Sequence, residues 1–244
     1  MHGFADHSGR YHSLFRSLNA AGITCHAADL TGHGTSPQPP GYLSNFSEYL
    51  DDVGEILAAA YADRDDLPLF LMGHSMGGLI AATHIIERQP TIAGLLMSNP
   101  AIAFAVRVPS WKSLLGTVMS TIWPSFKVPA GLELEALSRD PEVVAAARRD
   151  PLRFHFATAR WYTQCMAAQK HLAMSAAKIT VPCLTMLAGK DRLVDPAATR
   201  AWHDKLGGDA SLREYPQCYH ELFNEPEKAD VIDDLIAFIE SFCD

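Results

Sequence analysis

Several features that would indicate other classes of protein are missing from this sequence. The five cysteines are scattered and form no Cys-x-x-Cys pair, so neither a disulfide framework nor a structural zinc site is expected. The eleven histidines include no helix-borne HxxxH or HExxH pair. No apolar run reaches the ~18–20 residues that a membrane-spanning helix needs. We therefore expect no metal ion and no cofactor.

Positive charge is also scarce. Lys and Arg together number 20 against 28 Asp and Glu, which gives a net charge of −8 and argues against nucleic-acid partners. The sequence shows no secretory signal peptide, so we expect a reduced, cytoplasmic protein. Its 244 residues, 48% of them hydrophobic, are enough for one large core. The oligomeric state is not indicated.

The apolar pattern alternates between short β-rich runs and amphipathic helices, which predicts a mostly parallel sheet covered by helices. Strands are predicted over 23–30, 67–72, 92–97, 181–188 and 211–215. The alternation of strand and helix patterns stops over 104–179, where the patterns are helical and none clearly indicates a strand. We therefore predict an α/β core of residues 1–103 and 180–244, with residues 104–179 inserted as a helical cap.

The strongest motif is Gly73-His74-Ser75-Met76-Gly77, a GxSxG sequence between a predicted strand and a predicted helix. The glycines relieve the crowding of a strained turn that exposes the serine hydroxyl at the start of the helix. Free N–H groups and the helix dipole favour negative charge there. Ser75 is thus the predicted nucleophile, and the backbone N–H of Met76 is a predicted oxyanion donor.

A serine nucleophile needs a base, and the base needs a carboxylate that orients it. His220 follows the last predicted strand, where this strand order places the base. Asp191 follows the strand that ends near residue 188. Asp195 is its rival, but its position before Pro196 is typical of a helix N-cap.

An apolar stripe runs along one predicted helix of the cap. Its members recur at helical spacing: Trp111, Leu114, Leu115, Val118, Met119, Ile122 and Trp123. Two interpretations stay open. The stripe either packs on the core, or it lines an acyl-chain tunnel or meets a lipid surface, with Leu115 and Trp123 as substrate-binding residues. Few positive charges accompany it, so only transient membrane contact is expected.

The chain resembles the bacterial monoacylglycerol lipases and related lysophospholipase-like α/β-hydrolases. The resemblance runs nearly end to end and includes the cap. The matching segments are 2–11, 29–36, 73–78, 137–141, 189–191 and 219–226. It implies an α/β-hydrolase fold, a Ser75–Asp191–His220 triad, and Asp6 and Arg10 near the glycerol end of the pocket.

The second oxyanion donor is predicted to be the N–H of Phe4, in the His2-Gly3-Phe4 segment. Alone, His2-Gly3 is a weak signal; a following helix and a nucleophile further along the chain strengthen it. The resemblance also implies strands ahead of His2, which this sequence lacks. We therefore expect either that the sequence begins at an internal methionine, which we favour, or that the protein is truncated or rearranged.

The expected reaction is hydrolysis of a monoacylglycerol to glycerol and fatty acid, through an acyl-enzyme on Ser75. The alternatives are a lysophospholipase, a broad carboxylesterase, or a peptidase or lactonase on the same scaffold. A different class of alternative is a catalytically weak homologue that only binds a ligand. The expected partner is a lipid ester, with peripheral membrane contact through the cap.

Overall fold

The structure, a computed structural model, describes residues 1–64, 66–105 and 109–242. Its strands, in chain order, are β1 (Phe70–His74), β2 (Gly94–Ser98), β3 (Lys127–Pro129), β4 (Phe156–Thr158), β5 (Cys183–Ala188) and β6 (Ala210–Tyr215). The central sheet has the order β1-β2-β5-β6, and every neighbouring pair is parallel. Parallel strands end at the same edge of a sheet, so the loops after them meet there.

Eight α-helices connect and cover these strands in the described residues. They are α1 (His12–Ala20), α2 (Ser47–Asp63), α3 (Met76–Arg88), α4 (Ser110–Ile122), α5 (Pro141–Arg149), α6 (Ala159–Ser175), α7 (Pro196–His203) and α8 (Lys228–Glu240). The predicted cap at Asp195 is confirmed, because its carboxylate accepts the backbone N–H groups of Ala197 and Ala198 at the start of α7. Ahead of α2, the Glu48 carboxylate accepts the backbone N–H of Asn45.

The two inner strands, β2 and β5, are buried on both faces, which is why they read as continuous apolar runs. Along β2, Leu95 and Met97 pack with α2, α3 and α6, whereas Leu96 packs on the opposite face with α1 and α8. This alternation follows the two-residue period of a strand. The predicted parallel sheet flanked by helices is confirmed, with strand ends displaced by up to three residues.

The strand predicted over 23–30 is wrong, because this segment has no regular secondary structure. A strand needs a neighbour with which to exchange backbone hydrogen bonds. A cavity of about 310 Å³ instead separates residues 23–28 from β1, and apolar side chains of α1, α2 and β1 line it. On this side of β1 the backbone pairs with Met1, whose nitrogen donates to the Met72 carbonyl and whose carbonyl accepts the His74 N–H.

The segment predicted to be inserted, residues 104–179, is mainly helical but contains one small sheet; we call it the inserted region. Strands β3 and β4 pair antiparallel, so the expectation of no strand between 104 and 179 is wrong. These strands have three residues each, too short for a periodic signal to stand out. Helix α4 packs on α6, where the Ser120 and Thr163 hydroxyls lie 2.8 Å apart.

Residues 106–108 of the predicted cap lie outside the described residues, and the division into core and cap stays a prediction. None of the helices in the described part of the chain combines the length and the apolar character that crossing a bilayer requires.

Candidate active site

Ser75 lies on a sharp turn between β1 and α3. Its backbone has φ 55° and ψ −118°, a conformation that a non-glycine residue rarely adopts. The surrounding glycines are required because a side chain at either position would collide with nearby backbone atoms. A Cβ atom on Gly73 would lie 2.2 Å from the Gly77 carbonyl oxygen, and one on Gly77 would lie 2.4 Å from the Met1 carbonyl oxygen. The turn therefore presents Ser75 at the carboxyl edge of the sheet, where Met76 begins α3.

A buried histidine–carboxylate pair lies at the same edge. The Nδ1 atom of His220 is 2.7 Å from Oδ2 of Asp191, while Oδ1 of Asp191 accepts the backbone N–H groups of Leu193 and Val194. Burial by itself would lower the pKa of His220, but the Asp191 carboxylate raises it above its ordinary value. Burial likewise opposes the charge of Asp191, and the contact with His220 holds its pKa below the usual range.

Two other buried histidines and Asp195, the rival of Asp191, have different environments. His74 packs against His220 with ring centroids 4.7 Å apart, and burial lowers the pKa of His74 to about 3. Burial also lowers the pKa of His33 to about 3, and its Nδ1 lies 3.0 Å from the Thr31 carbonyl oxygen. Asp195 caps α7. Among the described residues, no hydrogen bond yet joins Ser75 Oγ to His220, a contact that often tightens only when substrate binds.

Asn99, which the sequence analysis did not single out as a site residue, holds the His220 loop against the sheet. Its amide nitrogen donates to the His220 carbonyl at 2.7 Å, and its amide oxygen accepts the backbone N–H of Ala188 at 2.7 Å. Asn99 has φ 43°, which asparagine tolerates better than most residues. The feature of the sequence that could have indicated Asn99 is its place as a polar residue directly after the buried strand β2.

Gly3 lies beside the serine. A Cβ atom on Gly3 would lie 3.3 Å from the Ser75 Cβ, so a side chain at position 3 would crowd the nucleophile. The ring of Phe4 packs on Trp161 at a centroid distance of 3.8 Å and edge-on against Phe154. Phe4 directly follows Gly3 in the chain, and its role as an oxyanion donor stays a prediction.

A buried group of four charged side chains adjoins His220; we call it the charged cluster (Asp6, Arg10, Arg153 and Glu221). Arg10 donates two hydrogen bonds to the Glu221 carboxylate, at 2.7 and 2.8 Å, and one to Asp6 at 3.1 Å. The guanidinium of Arg10 holds the pKa of both carboxyls low despite their burial. The structure therefore brings the predicted pair Asp6 and Arg10 together, and adds Glu221 and Arg153, which the sequence analysis missed.

The apolar stripe of the cap faces outward. Large side chains of α4 and the residue after it are exposed by about half or more, among them Leu114 (67%), Ile122 (76%), Trp123 (57%) and Leu115 (51%). The alternative in which this stripe packs on the core is therefore wrong. Leu115 and Trp123 lie on this outward surface, which we call the apolar face (Trp111, Leu114, Leu115, Val118, Ile122 and Trp123).

Within the described residues, one group of side chains lies close enough to share a metal ion. It consists of Cys218, Glu225 and Glu227. Both carboxylates already form ion pairs with Arg139, and burial raises the pKa of the Cys218 thiol to about 12. A metal ion would have to displace the arginine and ionise a resistant thiol, so this group does not fit one.

Known proteins match the chain over almost its whole length. A phospholipase of Bacillus subtilis, YtpA, is 33% identical over 99% of this chain and 94% of its own. A monoacylglycerol lipase of Mycolicibacterium smegmatis is 34% identical over 98% of this chain and 86% of its own. The crystal structure of the Paleococcus ferrophilus monoacylglycerol lipase superposes with a TM-score of 0.91, at 29% identity, and covers 99% of this chain and 93% of the other.

The model of the serine aminopeptidase, S33 family (Hydrolase_4) matches residues 1–227. This match, together with the relatives and the parallel sheet, confirms the resemblance seen in the sequence. The chain belongs to this family of serine hydrolases with the α/β-hydrolase fold, and it is a carboxylic ester hydrolase.

Proposed function

We propose that this protein hydrolyses monoacylglycerols to glycerol and fatty acid through an acyl-enzyme on Ser75. The observation that carries the proposal is the buried His220–Asp191 pair at the strand edge that also presents the strained Ser75. Asp191 orients His220, whose Nε2 takes the proton of Ser75 Oγ as the hydroxyl attacks the ester carbonyl. His220 then returns this proton to the leaving glycerol oxygen.

The negative charge of the tetrahedral intermediate falls on the former carbonyl oxygen. The N–H of Met76 belongs to the first residue of α3, and the N–H of Phe4 belongs to the residue after Gly3, which lies beside Ser75. Together they are the proposed oxyanion donors; loss of one such donor typically costs about 10²–10³ in rate. Water activated by His220 afterwards releases the fatty acid and restores the serine.

The charged cluster supports a neutral alcohol as the leaving group. Two arginines face two carboxylates, so the cluster carries no net positive charge for an anionic head group. Its carboxylates and guanidinium groups are instead suited to exchange hydrogen bonds with glycerol hydroxyls. This argument favours monoacylglycerol over an anionic lysophospholipid, although one relative is named a phospholipase.

The apolar face supports contact with a lipid surface. Six large apolar side chains along one helix and its end would bury their surface in the interfacial layer of a membrane or droplet. The same contact would bring an insoluble, single-chain substrate to the enzyme. Binding would be transient, because basic residues are sparse on this helix.

Two measurements test the proposal. A fluorophosphonate probe should label the wild type and leave Ser75→Ala unlabelled, because only an activated serine reacts. Release of glycerol from monoolein should exceed release of glycerol phosphate from oleoyl lysophosphatidate and should continue in EDTA. Equal rates on both lipids would favour the lysophospholipase alternative, and loss of activity in EDTA restored by a divalent ion would refute a metal-free reaction.

A further inference from the structure

Arg153 is a buried cation that reaches the active-site edge from the inserted region. It lies between α5 and β4, and only 3% of its side chain is exposed. Its Nη1 atom is 3.7 Å from Oδ1 of Asp6 and 3.8 Å from Oε1 of Glu221. Both distances are too long for hydrogen bonds, and neither Nε nor Nη1 has a hydrogen-bond partner among the described residues. Burying a guanidinium on these terms is costly.

The buried position of Arg153 is explained by the charge balance of the cluster. Arg10 already holds both carboxylates by hydrogen bonds, so Arg153 is not needed to fix their geometry. With Arg153 the charged cluster contains two positive and two negative groups. Without Arg153, the two carboxylates would share the single positive charge of Arg10. One buried negative charge would then be uncompensated close to His220, which Glu221 directly follows in the chain.

The ionisable groups that face His220 come from several elements. Asp191 follows β5 and lies 2.7 Å from Nδ1, and His74 ends β1 and packs against the ring at an interplanar angle of 55°. Burial keeps His74 neutral, since its pKa falls to about 3. The carboxylates of Glu221 and Asp6 also act on His220, and Glu221 adjoins it in the chain. Arg10 and Arg153 face these two carboxylates.

We infer that Arg153 acts on the base indirectly, through its charge. This charge keeps the charged cluster neutral beside His220 and so preserves the neutral, proton-accepting form of His220. The inference rests on the proposed roles of Ser75 and His220. It adds a requirement that the triad alone does not contain: the inserted region must supply a cation to the core.

The consequence is a set of opposite shifts in the pH dependence. The carboxylates of Asp191, Glu221 and Asp6 already raise the pKa of His220. Removing the charge of Arg153 leaves an extra anion, which raises this pKa further. Neutralising Asp6 removes an anion and lowers it. A variant with both changes is again neutral and retains the bidentate Arg10–Glu221 contact.

The experiment is the pH profile of kcat/KM on p-nitrophenyl butyrate, which has no glycerol and so separates the base from head-group binding. Arg153→Met should move the acid limb upward by about one pH unit, and Asp6→Asn should move it downward. Arg153→Met with Asp6→Asn should return the limb to the wild-type position, and Arg153→Lys should leave it there. Arg149→Met, an exposed arginine at the end of α5, is the matched control and should not shift it.

A merely structural role would lower the rate or the Tm without this ordered pattern. The inference is overturned if the acid limb of folded Arg153→Met lies at the wild-type pH. It is also overturned if the acid limb of the double variant lies at the same pH as that of Arg153→Met. Should Arg153→Met fail to fold, Asp6→Asn and the double variant carry the test, and an acid limb that does not fall in Asp6→Asn overturns the inference. Failure of the proposed function is separate, since Ser75→Ala would then keep its esterase activity.

Discussion

The strand edge and helix α4 place the side chains proposed to act in hydrolysis and in lipid contact in opposite environments. At the edge, His220 and Asp191 are buried and share a hydrogen bond of 2.7 Å. On α4, apolar side chains are exposed, Ile122 by 76%. Chemistry on an ester needs fixed distances and a dry environment, whereas contact with a lipid surface needs area and little precision. The comparison predicts that changes at the edge abolish all hydrolysis, and that changes on α4 affect only aggregated, long-chain substrates.

The largest expected effect comes from the nucleophile. Ser75→Ala should lower kcat by roughly 10⁵–10⁶ on short and long esters alike, because the acyl-enzyme cannot form. His220→Ala should cost about as much, and the double variant little more, since the two residues act as a unit. Ser113→Ala in α4 is the control, with the fold followed by circular dichroism. Substantial residual turnover in purified Ser75→Ala would move the nucleophile elsewhere.

The carboxylate comes next. Asp191→Asn should lower kcat by about 10³–10⁴, because the amide would hold His220 in the wrong tautomer. Asp195→Asn should keep activity within about twofold, since asparagine caps a helix as well as aspartate does. Both variants are compared on the same ester at fixed pH. Greater damage from Asp195→Asn would reverse the assignment of the acid.

The pH dependence should follow the raised pKa of His220. The base must be neutral to accept the serine proton, so kcat/KM should rise with pH through an apparent pKa above about 6.5. Below that value the rate should fall about tenfold per pH unit. Substrates that stay neutral across the range keep the profile specific to the enzyme. A rate that is flat between pH 5 and 8 would exclude His220 as the base.

The smallest expected effect comes from substitutions on α4, which should change the rate only on lipid substrates. Leu115→Glu should slow hydrolysis of monoolein in vesicles by about tenfold, since burying a charge replaces burial of a leucine worth roughly 1.5–3 kcal/mol. Hydrolysis of p-nitrophenyl acetate should be unchanged. Thr117→Glu adds the same charge to the same helix outside the apolar face and serves as the control. Equal losses on both substrates, or a lowered Tm, would show that the helix supports the core instead.

The parts of this molecule that the sequence predicts are those with a local cause. The GxSxG turn, the N-cap at Asp195 and the four strands of the central sheet each arise from residues a few positions apart, and all are found. The strand predicted over 23–30 fails because pairing depends on a neighbour, and a cavity lies where that neighbour would be. Local propensity cannot report on such a partner.

The charged cluster shows the same limit in the site. Arg10 and Glu221 are 211 positions apart in the chain, and Arg153 belongs to the inserted region. Nothing in the spacing of these residues indicates that they meet. The resemblance to a family supplies Asp6 and Arg10, but a charge contributed by Arg153 emerges only when the fold brings the cluster together.

Asn99 has a consequence for how the enzyme loses activity on heating. Its one amide ties the carbonyl of His220 to the end of β5, so the loop that carries the base moves with the sheet. In many enzymes the active-site loops open well before the molecule unfolds. Here thermal inactivation and the loss of secondary structure should occur together, and the amide hydrogen of Ala188 should exchange with solvent only through global unfolding.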